Sequence, residues 1–256
     1  MVKRSSIWTA LLLLSIGVIA CGGAEETAAP VPEPAADPGA AGDPPASTPE
    51  PTDAPEPTSA IGTMPLMDPD HPDSNLQAPD QYRVTFTTTK GDFVVEVHRD
   101  WAPLGADRFY NLVQVGYYDN NSFFRVVDGF VAQFGMNGDP AINEAWDRAS
   151  IADDPMGEMN TRGRLTFAHG GPGTRTTQLF INLGDNLNLD NMGFPPFGEI
   201  IEGMDVVDSF HSGYGDGPPR GTGPDQGLIG EDGTAYLERQ YPLLDHIESA
   251  RVTGER

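Results

Sequence analysis

A mainly β domain with two helices, folded as a closed barrel or a sandwich, is what the sequence predicts for residues 80–254. Three observations point there. Short β-rich runs recur from Tyr82 onward, the turns between them are rich in glycine, and only two stretches carry helical spacing. About 170 residues suffice for one such domain with its own core.

The elements follow in order. Tyr82–Thr88 and Phe93–His98 flank a Lys90-Gly91 turn and read as a hairpin, with Phe93, Val95 and Val97 on one face. Pro103 suits the first turn of a helix, where its missing N–H is not needed. Phe109, Leu112 and Val113 then recur at helical spacing, and Gly116 ends the run. Strands are expected near Ser122–Val126, Phe130–Phe134, Leu165–Ala168, Gln178–Asn182 and Phe197–Ile201, and a second helix over Met204–Phe210. Leu243–Val252 returns as a final strand, with Ile247 and Ser249 alternating. Met136–Gly163 reads as an inserted loop packed through Trp146. The stretch 213–233, with eight glycines in 21 residues, reads as loop.

The charge is uneven along the chain. Of 38 acids against 15 Lys and Arg, residues 22–80 hold 12 acids, no basic residue and 14 of the 24 prolines. With few large apolar side chains to offset the entropy of ordering, 21–79 is expected to be a disordered, extended tether. Asp68, Asp70 and Asp73 are interrupted by Pro69 and Pro72 and lack a closing Glu, so they read as a solvated charge run rather than a calcium loop. A net charge of −23 without a basic stripe excludes a nucleic-acid binder, because phosphate neutralisation needs clustered Lys and Arg. One cysteine excludes an internal disulfide and a cysteine-based zinc site. Lys3 and Arg4 precede an apolar run from Ile7 to Ala20, too short to span a bilayer, which needs about 20 residues, so 1–20 reads as a signal peptide. Val18-Ile19-Ala20-Cys21 resembles a bacterial lipobox, which implies acylation of Cys21 and a lipid anchor in the cell envelope. By the habit of that family, Gly22 favours the periplasmic face of the outer membrane.

The chemistry concentrates in three segments: Phe123–Gly135, Leu165–Asn182 and Leu189–Glu199. On a strand, Arg125 and Val127 share one face, opposite Phe124 and Val126. An arginine on an apolar face is paired, snorkelling or aimed at a ligand. Gln133 and Gln178, neutral donors and acceptors in apolar strands, read as satisfied core amides. The five histidines are scattered, so no metal site is expected. Asn186, Asn188 and Asp190 have calcium-loop spacing, but Phe197 stands where a bidentate Glu is required. No Ser–His–Asp or Cys–His order and no phosphate loop is present.

Together the three segments resemble the cyclophilin family of peptidyl-prolyl cis/trans isomerases, over roughly 82–210. Phe123-x-Arg125-Val126-x-x-Gly129-Phe130-x-x-Gln133-x-Gly135 and Gly171-Pro172 followed by Gln178-x-Phe180-Ile181 carry the match. The resemblance implies an eight-stranded antiparallel barrel capped by two helices, with no cofactor. It makes Arg125 the catalytic arginine, Gln133 the amide that positions it, and Phe130, Val131 and Phe180 the pocket for the proline ring. Ala168, His169 and Gly170 become the peptide-binding edge, Gln178 another groove residue, and Leu189 and Phe194 pocket residues. The chain departs from the family at Val131 (usually Met), His169 (usually Asn), Asn188 (often Trp) and Phe194 (near the usual His). The changes at Asn188 and Phe194 are expected to weaken cyclosporin-type ligands more than catalysis, since neither residue is the charged group.

The residue types suit that reaction. Rotation about an X–Pro bond meets a barrier of about 18–20 kcal/mol and takes tens to hundreds of seconds uncatalysed. A guanidinium hydrogen-bonded to the proline nitrogen favours the twisted amide over the planar one. Raising a rate of ~0.01 s⁻¹ to ~10 s⁻¹ needs roughly 4 kcal/mol, the scale of one charged hydrogen bond plus positioning. The expected protein is a monomeric, membrane-anchored isomerase acting on proline-containing clients among exported polypeptides and assisting their folding. The alternative is a non-catalytic peptide-binding or chaperone module on the same scaffold. An Arg125 turned inward and locked to a carboxylate, far from Phe130 and Phe180, would overturn the enzyme reading.

Overall fold

Alternation of buried and open positions builds the first hairpin of the computed structural model, which describes residues 64–256. In β1 (Gln81–Thr88) Tyr82, Val84 and Phe86 point inward, and in β2 (Gly91–His98) Phe93, Val95 and Val97 do so. Six further strands complete one antiparallel sheet: β3 (Arg125–Val127), β4 (Val131–Phe134), β5 (Arg164–Phe167), β6 (Leu179–Asn182), β7 (Pro196–Glu202) and β8 (Ile247–Glu255). Their spatial order is β3-β4-β6-β5-β7-β2-β1-β8. All eight expected strands are present. The expected closed barrel needs correction, because β3 and β8 end the ladder. The segments just before them meet at one isolated bridge, Ser122 to His246, with Phe123 N–H donating to Asp245 O and Ile247 N–H to Asn121 O.

Among the described residues five α-helices accompany the sheet, not two: α1 (Met64–Met67), α2 (Pro103–Gln114), α3 (Pro140–Asp147), α4 (Met204–Asp208) and α5 (Gln226–Gln240). The expected pair are α2 and α4. Phe109 of α2 enters the aromatic core, 5.2 Å from Phe197 and 6.2 Å from Phe86. No side chain at the N-cap serves the free N–H groups of α2. Asp154 does so instead, accepting from Leu104 N at 3.0 Å and Gly105 N at 2.9 Å. The wholly buried Arg175 pairs with the same carboxylate at 3.0 Å.

Two segments expected as loops contain helices. In 136–163, Asp139 caps α3 by accepting from Ala141 N at 2.9 Å, and Trp146 is buried on that helix. In 211–235, the loop stops at Asp225, which caps α5 by accepting from Gly227 N and Leu228 N. Three glycines, each costing about 1 kcal/mol in a helix, mask α5 in the sequence. Burial of Ile229, Tyr236 and Leu237 with Phe124 outweighs them. At Gly233 the helix kinks with φ +57°, and any side chain would meet Gly138 O.

The expected signal peptide at 1–20, Cys21 and the tether up to residue 63 lie outside the described residues. The expected tether extends to residue 79, but the residues from Met64 onward already pack against the domain. Trp146 Nε1–H donates to Leu66 O at 2.7 Å, and Leu76 and Asn111 exchange two hydrogen bonds of 2.9 and 2.8 Å. Leu66 and Ala78 join the core. Apolar content alone missed this docking, because most of it is polar and aimed at distant partners. A chain starting at residue 80 leaves the Trp146 donor without its partner and opens apolar surface, a loss of about 2 kcal/mol. Its melting temperature is therefore expected to fall by about 4–8 °C relative to a chain starting at 64, measured by calorimetry. Equal melting temperatures would show the segment to be a passive appendage.

Candidate active site

The two-residue repeat of β4 and β6 sorts side chains between core and groove. Ala132, Phe134, Leu179 and Ile181 enter the main core, whereas Val131 and Phe180 face the other way and pack with Leu189, Phe130, Ala168 and Phe194. Register does the rest. Arg125 of β3 lies opposite Gln133 of β4, which lies opposite Phe180 of β6. Strand β4 then ends at Gly135, whose φ of +101° and close approach to Thr177 O exclude a side chain.

Nine of the expected residues line one cavity of about 460 Å³: Arg125, Phe130, Val131, Gln133, Ala168, His169, Phe180, Leu189 and Phe194. A roomier hollow of about 690 Å³ between the end of α2 and β8 gathers none of them. Two expected residues are placed differently. Gly170 lies in a turn, its N–H bonded to Thr174 Oγ1, and does not line the cavity. Gln178 also stays off the wall and acts through Gln133, whose Nε2–H donates to Gln178 Oε1 at 2.9 Å. Asn188 is exposed on the 3-10 helix Leu187–Met192.

Arg125 is held from two sides. Nη1–H donates to Gln133 Oε1 at 3.0 Å, while Nε–H and Nη2–H donate to Asp216 Oδ1 and Oδ2 at 2.8 and 3.3 Å. A carboxylate thus does hold the arginine, but at the groove and not in the core. The guanidinium carbon lies 5.5 Å from the Phe130 ring centre. Of the five guanidinium N–H groups three are engaged, which leaves two for a substrate.

A buried asparagine network supports the apolar wall. Asn186 Nδ2–H donates to Phe130 O at 2.8 Å and to Asn182 Oδ1 at 2.7 Å. Asn160 donates to Asp190 Oδ1 and to Phe194 O, and accepts from Thr166. Asn186 and Asp190, whose spacing suggested calcium, thereby hold Phe130 and Phe194 in place. His169 stacks on Phe194 at 3.9 Å. Its Nδ1 accepts from Gly171 N–H at 3.1 Å and its Nε2 lies 3.0 Å from Gly193 O, so the tautomer with hydrogen on Nε2 satisfies both. Phe194 meets Phe180 edge-on at 5.8 Å.

Sequence reasoning missed Met192, Asp216, Gly217 to Arg220 and Gln226, all of which line the cavity. Asp216 lies 91 residues after Arg125, in a stretch read only as glycine-rich loop, and no local pattern links the two. Among the described residues no group of three or more His, Cys, Asp or Glu is placed to hold a metal ion.

A family model described as "Cyclophilin type peptidyl-prolyl cis-trans isomerase/CLD" matches residues 83–225. Peptidyl-prolyl cis-trans isomerase B of Escherichia coli K12 is 37% identical over 134 residues, covering 49% of this chain and 81% of that protein. Peptidyl-prolyl cis-trans isomerase-like 3 of Dictyostelium discoideum is 35% identical over 128 residues, 49% of this chain and 79% of that one. A peptidyl-prolyl cis-trans isomerase of Acinetobacter baylyi is 34% identical over 131 residues, 49% and 69%. The crystal structure of a Cryptosporidium parvum cyclophilin type peptidyl-prolyl cis-trans isomerase superposes with a TM-score of 0.50 at 20% identity, covering 69% of this chain and 99% of that chain.

The hydrogen bond from Arg125 holds the Asp216 carboxyl below the usual carboxylate range. A depressed folded-state pKa adds stability that is fully present above the ordinary carboxylate value and is lost as pH falls through the depressed one. The gap in urea midpoint between the native chain and Asp216→Asn is therefore expected to be constant near neutrality and to shrink as the solution is acidified below the ordinary carboxylate range. A gap that persists undiminished into acid would contradict this.

Proposed function

Because the chain belongs to the cyclophilin-type peptidyl-prolyl cis-trans isomerases, we propose that Arg125 is its catalytic residue and that its clients are exported polypeptides whose folding it assists. The observation that carries the proposal is the convergence, in one cavity, of a guanidinium with two spare N–H groups and an apolar wall of Val131, Phe180 and Leu189.

The wall takes the proline ring, and Ala168 and His169 border the path of the peptide. As the preceding carbonyl swings out of plane, resonance is lost and the lone pair localises on the proline nitrogen. A spare Arg125 N–H donates to that lone pair, a bond the planar amide cannot accept as well. Gln133 and the Phe130 ring hold the guanidinium in place, which lowers the rotamer entropy to be lost at the moment of reaction. No nucleophile or proton transfer takes part in this rotation.

The envelope location is supported by the order Lys3-Arg4, apolar Ile7–Ala20, Cys21. In this reading Cys21 carries the lipid, the proline-rich acidic stretch spaces the domain from the surface, and the site is the periplasmic face of the outer membrane.

Arg125→Ala is expected to lower kcat/KM for an X–Pro peptide by about 10²–10³-fold with an unchanged near-ultraviolet circular dichroism spectrum. Exchange measured by NMR on the purified domain reads this, and full activity of a folded variant would remove Arg125 from the mechanism. Cys21→Ser is expected to abolish labelling by radioactive palmitate in bacterial cells and to move the protein from the membrane to the soluble fraction. Labelling that survives the substitution would refute the anchor.

A further inference from the structure

We propose that Asp216 is a positioning residue for the isomerisation: its carboxylate fixes the Nε–Nη2 edge of Arg125 so that the two remaining N–H groups face the groove before a client arrives. The inference rests on Arg125 being the catalytic donor.

The geometry of the contact is the first argument. Asp216 takes the side of the guanidinium next to Nε, at 2.8 and 3.3 Å, and Gln133 takes one hydrogen of Nη1 at 3.0 Å. Two partners from different parts of the fold determine the plane and rotation of the group, and its side chain is 15% exposed. Gln133 through one hydrogen bond and Phe130 through a ring contact at 5.5 Å constrain the group less than the two-point contact with Asp216 does. A long side chain with many rotamers is thereby set in one of them without losing its donors.

The second argument is that the loop does not need the ion pair for its own shape. Gly215, with φ +64°, bridges Val126 beside β3. Gly223 N–H closes back on Asp216 O at 2.9 Å. Tyr241 donates to Gly223 O at 3.1 Å, and its ring stands edge-on to Tyr214 at 5.0 Å. Backbone bonds and an aromatic anchor thus fix residue 216 from both sides, so its carboxylate is free to serve Arg125. The hydrogen bond from Arg125 favours the ionised form of that carboxylate.

The test compares the native chain, Arg125→Ala, Asp216→Asn and Asp216→Ala in a steady-state exchange assay on one X–Pro peptide. Asp216→Asn is expected to lower kcat about tenfold, equivalent to 1.36 kcal/mol, with KM changed less than about twofold. Asp216→Ala, which removes both oxygens, falls at least as far. The Arg125 Nε–H resonance is expected to be sharp and slow to exchange in the native chain, and to broaden or vanish in both variants while the amide spectrum stays put. An unchanged kcat overturns the inference. A raised kcat overturns it in favour of Asp216 as a restraint on the enzyme, and a rise in KM alone in favour of a lining residue. Arg125→Ala separates the two levels. If it stays active, the assignment of Arg125 has failed; if it is inactive while Asp216→Asn keeps full kcat, only this inference has failed.

Discussion

The pleat of β4 and β6 is the constraint on which the groove depends. Each strand carries large apolar groups into the core at Phe134, Leu179 and Ile181, and their burial fixes which neighbours must face outward. Val131, Gln133 and Phe180 are in the groove because a one-residue slip would turn the core out into water. Burying one such side chain contributes roughly 1.5–3 kcal/mol, so several together hold the register firmly. The strands set the position of the groove face as a by-product of packing, and the asparagine network supports it from behind.

Local patterns made much of this legible. The alternation of Phe93, Val95 and Val97, the helical spacing after Pro103 and the paired motifs around Arg125 and Gln178 each match an element or the groove itself. What escaped notice is what depends on distant partners. Helix α5 has three glycines and gains its stability from Phe124, about a hundred residues earlier, so propensity argues for loop where burial makes helix. The segment 64–79 looks like more of the proline-rich stretch until Trp146 and Asn111 supply its hydrogen-bond partners. Asp216 is invisible for the same reason, since nothing near it in sequence says that an arginine is waiting. Eight strands were foreseeable, but the seam between the first and last members of the ladder narrows to one bridge, and alternation alone cannot reveal such a narrowing.

The electrostatics of the groove differ from those of the chain. With 38 acids against 15 basic residues the protein as a whole repels anions. Inside the cavity the pairing of Arg125 with Asp216 brings the local charge close to neutral, with Arg220 at the rim as a further cation. An apolar wall beside a paired guanidinium, in a strongly acidic molecule, suits recognition of an uncharged ring and leaves selection by charge to the surroundings.

The clasp between Leu66 and Trp146 has a mechanical consequence. Any tension drawn through the chain at Met64 reaches α1 first and is resisted by a single hydrogen bond and a few apolar contacts on α3. Strand β1, between β2 and β8 in the sheet, feels that load only after the clasp has let go and the hydrogen bonds of Leu76 to Asn111 and of Ala78 to Asp107 have followed it. The clasp therefore works as a shear pin: it yields at low force, absorbs the pull in a short peel, and shields the sheet that carries the groove.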